Sequence, residues 1–175
     1  VTDQIALALA KEKPEKEDQF QKTAAHYKSK LIQLNEYAKT VLNTVPNKSR
    51  VLITAHDAFG YFGKTYGFDV MGVQGISTNS EAGLYRIKEI VDLLVEREIS
   101  AVFVESSVSD RNMRALIEGA NARGHKVSLG GELYSDAMGI EGTYEGTYVG
   151  MLDHNITTIA KALGGNPPDL GWQGK

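Results

Sequence analysis

His56 is the residue of this chain best placed to do chemistry. It follows the aliphatic, β-branched run Val51-Leu52-Ile53-Thr54-Ala55, which reads as a buried strand. After His56-Asp57 the chain turns into a short helical segment carrying Phe59, Phe62 and Tyr66. In an open α/β sheet ligands bind just beyond the carboxyl ends of the strands, and His56 falls there. A neutral imidazole at that edge is a ready ligand for Zn²⁺ or Mn²⁺. A lone histidine at such a turn more often caps or packs, so the reading depends on what else reaches the edge. Gln74 to Thr78 reach it after a second strand, and Glu105, Ser106 and Ser107 after a third. Glu132, Tyr134, Ser135 and Asp136 follow a fourth. One imidazole with several carboxylates facing one crevice suits a hard-to-borderline cation.

The carboxylates differ in what their surroundings ask of them. Asp57 is placed to cap the helix that follows it. Glu132 reads as a solvated loop residue. Glu105 ends an otherwise apolar strand and so is expected to be partly buried, where it needs a hydrogen bond, an arginine or a metal. Asp136 lies between small residues in a glycine-rich loop, whose backbone freedom lets a side chain be aimed. His125 sits at the start of a strand, on the opposite edge. His154 lies on the polar side of the last helix and His26 lies off the apolar stripe of a long one, so all three read as solvated.

Other chemistries fit poorly. Gly63-Lys64-Thr65 resembles the end of a phosphate loop, but Ala58 stands where that loop needs glycine. Neither a G-x-S-x-G elbow nor a G-x-G-x-x-G fingerprint occurs. His56-Asp57 has no accompanying nucleophile, and adjacent residues at a strand end point apart.

Alternating strands and helices must position these groups. A short helix over Thr2–Lys11 is stopped near Pro14. A long helix from about Glu15 to Val45 carries the stripe Phe20, Ala24, Tyr27, Leu31, Leu34, Ala38, Val41 and Val45 until Pro46 ends it. At roughly 45 Å it is longer than one small domain needs. Strands are expected at 50–54, 69–73, 101–104 and 126–129, the last followed by a loop through Gly130 and Gly131. Helices are expected at 58–66, from about Ser80 to Arg97, at 111–123 and at 147–163. The organisation is therefore 1–48 as helical lead-in, 49–163 as an α/β lobe with a parallel sheet of about four strands flanked by helices, and 164–175 as a loose tail.

Composition narrows the classes. A net charge of −3 over 175 residues carries no basic footprint for nucleic acid. No apolar run approaches the roughly 18–20 residues of a membrane span. The absence of cysteine removes disulfides, thiolate metal sites and cysteine nucleophiles. The opening Val1-Thr2-Asp3-Gln4 lies within a helical pattern and suggests a piece of a longer protein.

At the level of motifs the chain resembles the carboxyl lobe of the TroA-like receptors, the zinc- and manganese-binding solute receptors of bacterial ABC importers. The resemblance is carried by Thr54-Ala55-His56-Asp57-Ala58-Phe59-Gly60-Tyr61-Phe62 and Gln74-Gly75-Ile76-Ser77-Thr78. Phe103-Val104-Glu105-Ser106-Ser107-Val108, Leu133-Tyr134-Ser135-Asp136-Ala137-Met138-Gly139 and Thr147-Tyr148-Val149-Gly150-Met151 complete it. It covers about residues 15–163, including the long helix, which in this family links two α/β lobes as a rigid spine. It implies a metal held between the lobes by four side chains, two from each. In this lobe they would be His56 and Asp136, with Glu105 beside the site as a partner of the ligands or a possible ligand.

The amino-terminal lobe, its two histidine ligands, the leader and the lipid-anchor cysteine are not in this sequence, so on this reading the chain holds half of a metal site. The implied function is capture of Zn²⁺ or Mn²⁺ outside the cytoplasmic membrane, by a periplasmic or cell-surface lipoprotein, and delivery to an ABC-transporter permease. The chain is then a binding protein and not an enzyme, and the lobe alone is expected to self-associate. A metal-dependent hydrolase using the same edge residues is the alternative reading, and a cell-adhesion module a third.

Overall fold

Val51–His56 forms β1, and all six of its residues are buried. Complete burial of a strand requires neighbours on both edges and cover on both faces, as in a parallel α/β sheet. The computed structural model, which describes residues 1–75 and 83–172, meets that requirement. β2 (Asp69–Gln74), β3 (Ala101–Glu105) and β4 (Ser128–Leu133) join β1 in a four-stranded sheet of order β2-β1-β3-β4. All pairings are parallel. The helices are α1 (Thr2–Glu12), α2 (Glu17–Leu42), α3 (Gly60–Tyr66), α4 (Leu84–Glu96), α5 (Arg111–Ala122) and α6 (Tyr148–Ala162). None is long and apolar enough to cross a membrane.

The chain forms two compact units, Val1–Ala38 and Lys39–Lys175. In the first, α1 and the start of α2 make a helical hairpin through the short turn Pro14–Lys16, with Lys28 paired to Asp3 at 2.7 Å. Between its helices lies an apolar groove of about 430 Å³, lined by Ile5, Ala6, Leu9, Phe20, Ala24 and Tyr27. The expected stripe of α2 is its buried side: Ala24, Leu34, Ala38, Val41 and Val45 are buried. The helix itself is shorter than expected, because Pro14 sets a separate turn before it and the chain leaves helix before Pro46.

In the second unit one sheet face carries the core of Val51, Ile53, Ala55, Val102, Ile90, Leu94, Met113 and Leu116, under α4 and α5. Successive strand residues point to opposite faces, so Leu52, Thr54 and His56 lie on the other one. Thr54 is in register with Phe103, and two residues further along the parallel strands His56 stands beside Glu105.

β4 departs from expectation. It runs over 128–133 and includes Gly130 and Gly131, which the sequence suggested were loop. Register with β3 skips one residue between Val102 and Phe103, a bulge that Gly131 accommodates at φ +143°. A Cβ on Gly131 would lie 2.5 Å from Thr158 Cγ2, and one on Gly130 would lie 2.8 Å from Ala162 Cβ. These glycines let α6 lie close against the strand.

The tail is also more ordered than expected. The Asn166 amide donates to Thr44 Oγ1 at 2.8 Å. The Trp172 amide donates to the buried Asp153 carboxylate, which also accepts from Tyr144 Oη and Thr157 Oγ1. The expected start of α4 at Ser80 and most of the loop Gln74–Asn79 lie outside the described residues.

Candidate metal centre

His56 is the last residue of β1, only 3 % exposed, and its ring lies between two carboxylates. Glu105, the last residue of β3, is 2 % exposed. Its Oε1 accepts the backbone N–H of His56 at 2.9 Å, and its Oε2 lies 2.8 Å from His56 Nδ1. Those two side-chain atoms are in contact but out of line for a good hydrogen bond, and neither has another partner among the described residues. On the far side of the ring Nε2 lies 3.3 Å from Asp136 Oδ2. Asp136 stands in the loop after β4, with its side chain 64 % exposed. Sheet register and strand parity thus bring Glu105 to His56, and the loop after β4 brings Asp136 to the other side of the ring.

The geometry separates the roles the carboxylates can play. The carboxylate beside Nδ1 can orient the ring from that side, and Nε2 is the ring nitrogen that faces Asp136. At usual Zn–N and Zn–O lengths and tetrahedral angles, a shared ion holds nitrogen and oxygen about 3.4 Å apart. The Nε2 to Oδ2 separation already matches that span. Glu105 faces the other ring nitrogen, Nδ1, while Asp136 faces Nε2. Consistent with that division, no group of three or more potential ligands gathers around one point among the described residues.

The backbone around His56 is held closely. Its carbonyl accepts from Thr54 Oγ1 at 2.8 Å and from the Ala58 amide at 3.0 Å, which closes the turn. Gly72 of β2 lies under this turn, where a Cβ would come within 2.5 Å of the Asp57 nitrogen. Arg86 of α4 donates to the Gly72 carbonyl at 3.0 Å. Gln74, opposite His56 in register, has a buried Oε1 with no partner among the described residues.

Asp57 does not cap α3. The cap position falls on Phe59, without a side-chain cap bond, and Asp57 is exposed. The helix is instead anchored by ring contacts of Phe62 with Phe59, Tyr66 and Phe68 at centroid distances of 5.0–6.4 Å. Glu132 is an exposed strand residue. Ser107 and Ser135 approach each other at 3.3 Å, linking the loops after β3 and β4, while Ser106 donates its amide to the Leu133 carbonyl.

Two histidines expected to be solvated are half-buried and bonded. His125 Nε2 donates to the Ile99 carbonyl at 2.7 Å, at the opposite sheet edge. His154 Nε2 donates to the Glu132 carbonyl at 2.9 Å, and its ring lies 5.0 Å from that of Tyr134. His26 is exposed as expected. Sequence reasoning missed Asn155, 5 % exposed, whose amide binds both backbone groups of Tyr134. A polar residue one position before Ile156, on the buried side of an amphipathic helix, was the available signal.

Known proteins are similar to this chain over nearly all of its length. The manganese-binding lipoprotein MntA of Bacillus subtilis is 54 % identical over 161 residues, 92 % of this chain and 53 % of that protein. The zinc-binding protein TroA of Treponema pallidum is 47 % identical over 156 residues, 89 % of this chain and 51 % of that one. The chain thus spans about half the length of the curated relatives it matches. The solved structure of the periplasmic zinc-binding protein TroA from Treponema pallidum superposes with a TM-score of 0.87 at 46 % identity, covering 92 % of this chain and 58 % of that one. The family described as zinc-uptake complex component A, periplasmic (ZnuA), matches residues 1–162, and the chain belongs to it.

Proposed function

We propose that the protein captures Zn²⁺ or Mn²⁺ outside the cytoplasmic membrane and delivers it to the permease of an ABC importer, with no catalytic turnover. His56 through Nε2 and Asp136 through Oδ2 are this chain's ligands, and Glu105 orients the imidazole. The observation that carries the reading is the 3.3 Å approach of Nε2 to Oδ2, with a buried carboxylate on the other ring nitrogen. Relatives described as manganese-binding and as zinc-binding are both close in sequence, and nitrogen and oxygen donors without sulfur suit either ion. A closed site for Zn²⁺ takes about four ligands. Because the relatives are about twice as long, the other donors are assigned to a second lobe outside these residues. The helical segment 1–48 then links the lobes, with 49–163 as the carboxyl lobe. Lipoprotein and periplasmic descriptions among the relatives support an extracytoplasmic location.

Calorimetric titration of the full-length protein with Mn²⁺ and Zn²⁺ tests the assignment. His56→Ala is expected to weaken binding by more than the roughly 100-fold that a lost partner of a ligand costs. His125→Ala, at the other sheet edge, is expected to bind as wild type. Equal affinities for His56→Ala and wild type would sink the proposal.

A further inference from the structure

We infer that Asn155 of α6 is a positioning residue that aims Asp136 at His56. The inference rests on the metal-receptor reading. β4 stays in register with β3 as far as Leu133, opposite Glu105. Beyond that residue the Tyr134 N–H and C=O have no strand partner, and unpaired backbone groups in a half-buried segment must be satisfied some other way. Asn155 satisfies both: Oδ1 accepts the Tyr134 amide at 3.0 Å, and Nδ2 donates to the Tyr134 carbonyl at 2.7 Å. The second Nδ2 proton points to Met151 Sδ at 3.7 Å. An amide N–H can only donate and a carbonyl can only accept, so the orientation of the Asn155 side chain is determined.

Its neighbour supports the same junction. His154 Nε2 donates to the Glu132 carbonyl, and its ring packs on Tyr134. The closeness of α6 to β4, which Gly130 and Gly131 permit, brings these two side chains within reach. Asp136 lies two residues past Tyr134 on an exposed loop, so the direction in which the chain leaves Tyr134 sets where Oδ2 falls. Among the described residues the hydrogen bonds of Asn155 go to Tyr134 and Met151 and not to Asp136 or His56, so it acts through the backbone of Tyr134.

The test uses the full-length protein with Mn²⁺, Zn²⁺ and, as a spectroscopic probe, Co²⁺, whose visible bands report ligand geometry. Asn155→Ala is expected to lower affinity about 10–100-fold, the range for groups that orient ligands, and to shift the Co²⁺ bands. Ile159→Ala, which opens a cavity at a fully buried position of the same helix and leaves both Asn155–Tyr134 hydrogen bonds in place, controls for stability and is expected to leave affinity and spectrum unchanged. Asn155→Asp keeps the side chain's size and the acceptor for the Tyr134 amide but loses the donor. With a carboxylate oxygen set against the Tyr134 carbonyl it is expected to give at least as large a loss in the same direction, and Asn155→Ser, which buries no charge, serves if the alanine variant does not fold. Wild-type affinity and spectrum in a folded Asn155 variant overturn the inference, and so does an equal loss in Ile159→Ala. If wild type and His56→Ala bind metal alike, the receptor reading fails instead. The inference is then decided by amide exchange in metal-free protein, which Asn155→Ala is expected to raise at Tyr134–Ala137 and which overturns it if unchanged.

Discussion

Among the described residues no arginine or lysine pairs with Glu105, and both of its oxygens are turned on one residue, through the backbone N–H and the Nδ1 of His56. A carboxylate taken out of water in this way costs stability unless its contacts compensate. The compensation proposed here is functional, because an imidazole backed by a carboxylate is held in one tautomer and made a better donor at its other nitrogen. Glu105→Gln keeps the size of the side chain and the acceptor for the His56 amide but removes the charge. Metal affinity of the full-length protein is expected to fall about 10–100-fold, with little change in melting temperature. Unchanged affinity by calorimetry would show that Glu105 serves packing alone.

One element places the histidine, and a second is the proposed link between lobes. β2 sits close under the His56–Asp57 turn because Gly72 has no side chain, and a Cβ there would lie 2.7 Å from the His56 carbonyl carbon. Gly72→Ala must therefore push the turn away. A cost of about 1–3 kcal/mol in chemical unfolding is expected from such overpacking, together with weaker metal binding. Wild-type affinity in that variant would mean that the turn can shift without moving the ring. α2, with 26 residues and no internal glycine or proline, makes a continuous rod about 39 Å long. If it links two lobes as proposed, metal release should change the radius of gyration of the full-length protein only slightly. A flexible hinge would instead permit wide closure, and small-angle scattering with and without Mn²⁺ separates the two.

At the scale of the molecule, the ligand pair proposed for this chain is half of a closed coordination sphere. Each missing donor removes bond energy and preorganisation, so the 175-residue chain should bind Zn²⁺ orders of magnitude more weakly than the full-length protein. Submicromolar affinity in a demonstrated monomer would contradict the half-site reading. The groove between α1 and α2 opens among Ile5 and Leu9, which are 55 % and 45 % exposed. Apolar surface of this kind favours association. The chain alone is expected to sediment as a concentration-dependent dimer, and Ile5→Lys with Leu9→Lys to return it to monomer. Sedimentation that is monomeric at all concentrations would refute this.

Much of the fold follows from local pattern. The β-branched run before His56, the four-and-three stripe of α2 and the alternation of strands with helices depend on neighbours in sequence, and they are legible without coordinates. The carboxyl-edge rule placed His56, Glu105 and Asp136 on one side of the sheet for the same reason. Which strands are adjacent, and in what register, depends on long-range pairing. The sheet order β2-β1-β3-β4 is what seats Glu105 against His56 on one face, and it leaves Asp57 in solvent. Gly130 and Gly131 read as loop because glycine weakens an isolated strand, yet the approach of α6 makes them the residues that fit. Asn155 had no local reason to matter. Its role arises only where α6 meets the end of β4, because a side-chain amide gains its value from the backbone groups that tertiary packing leaves unpaired.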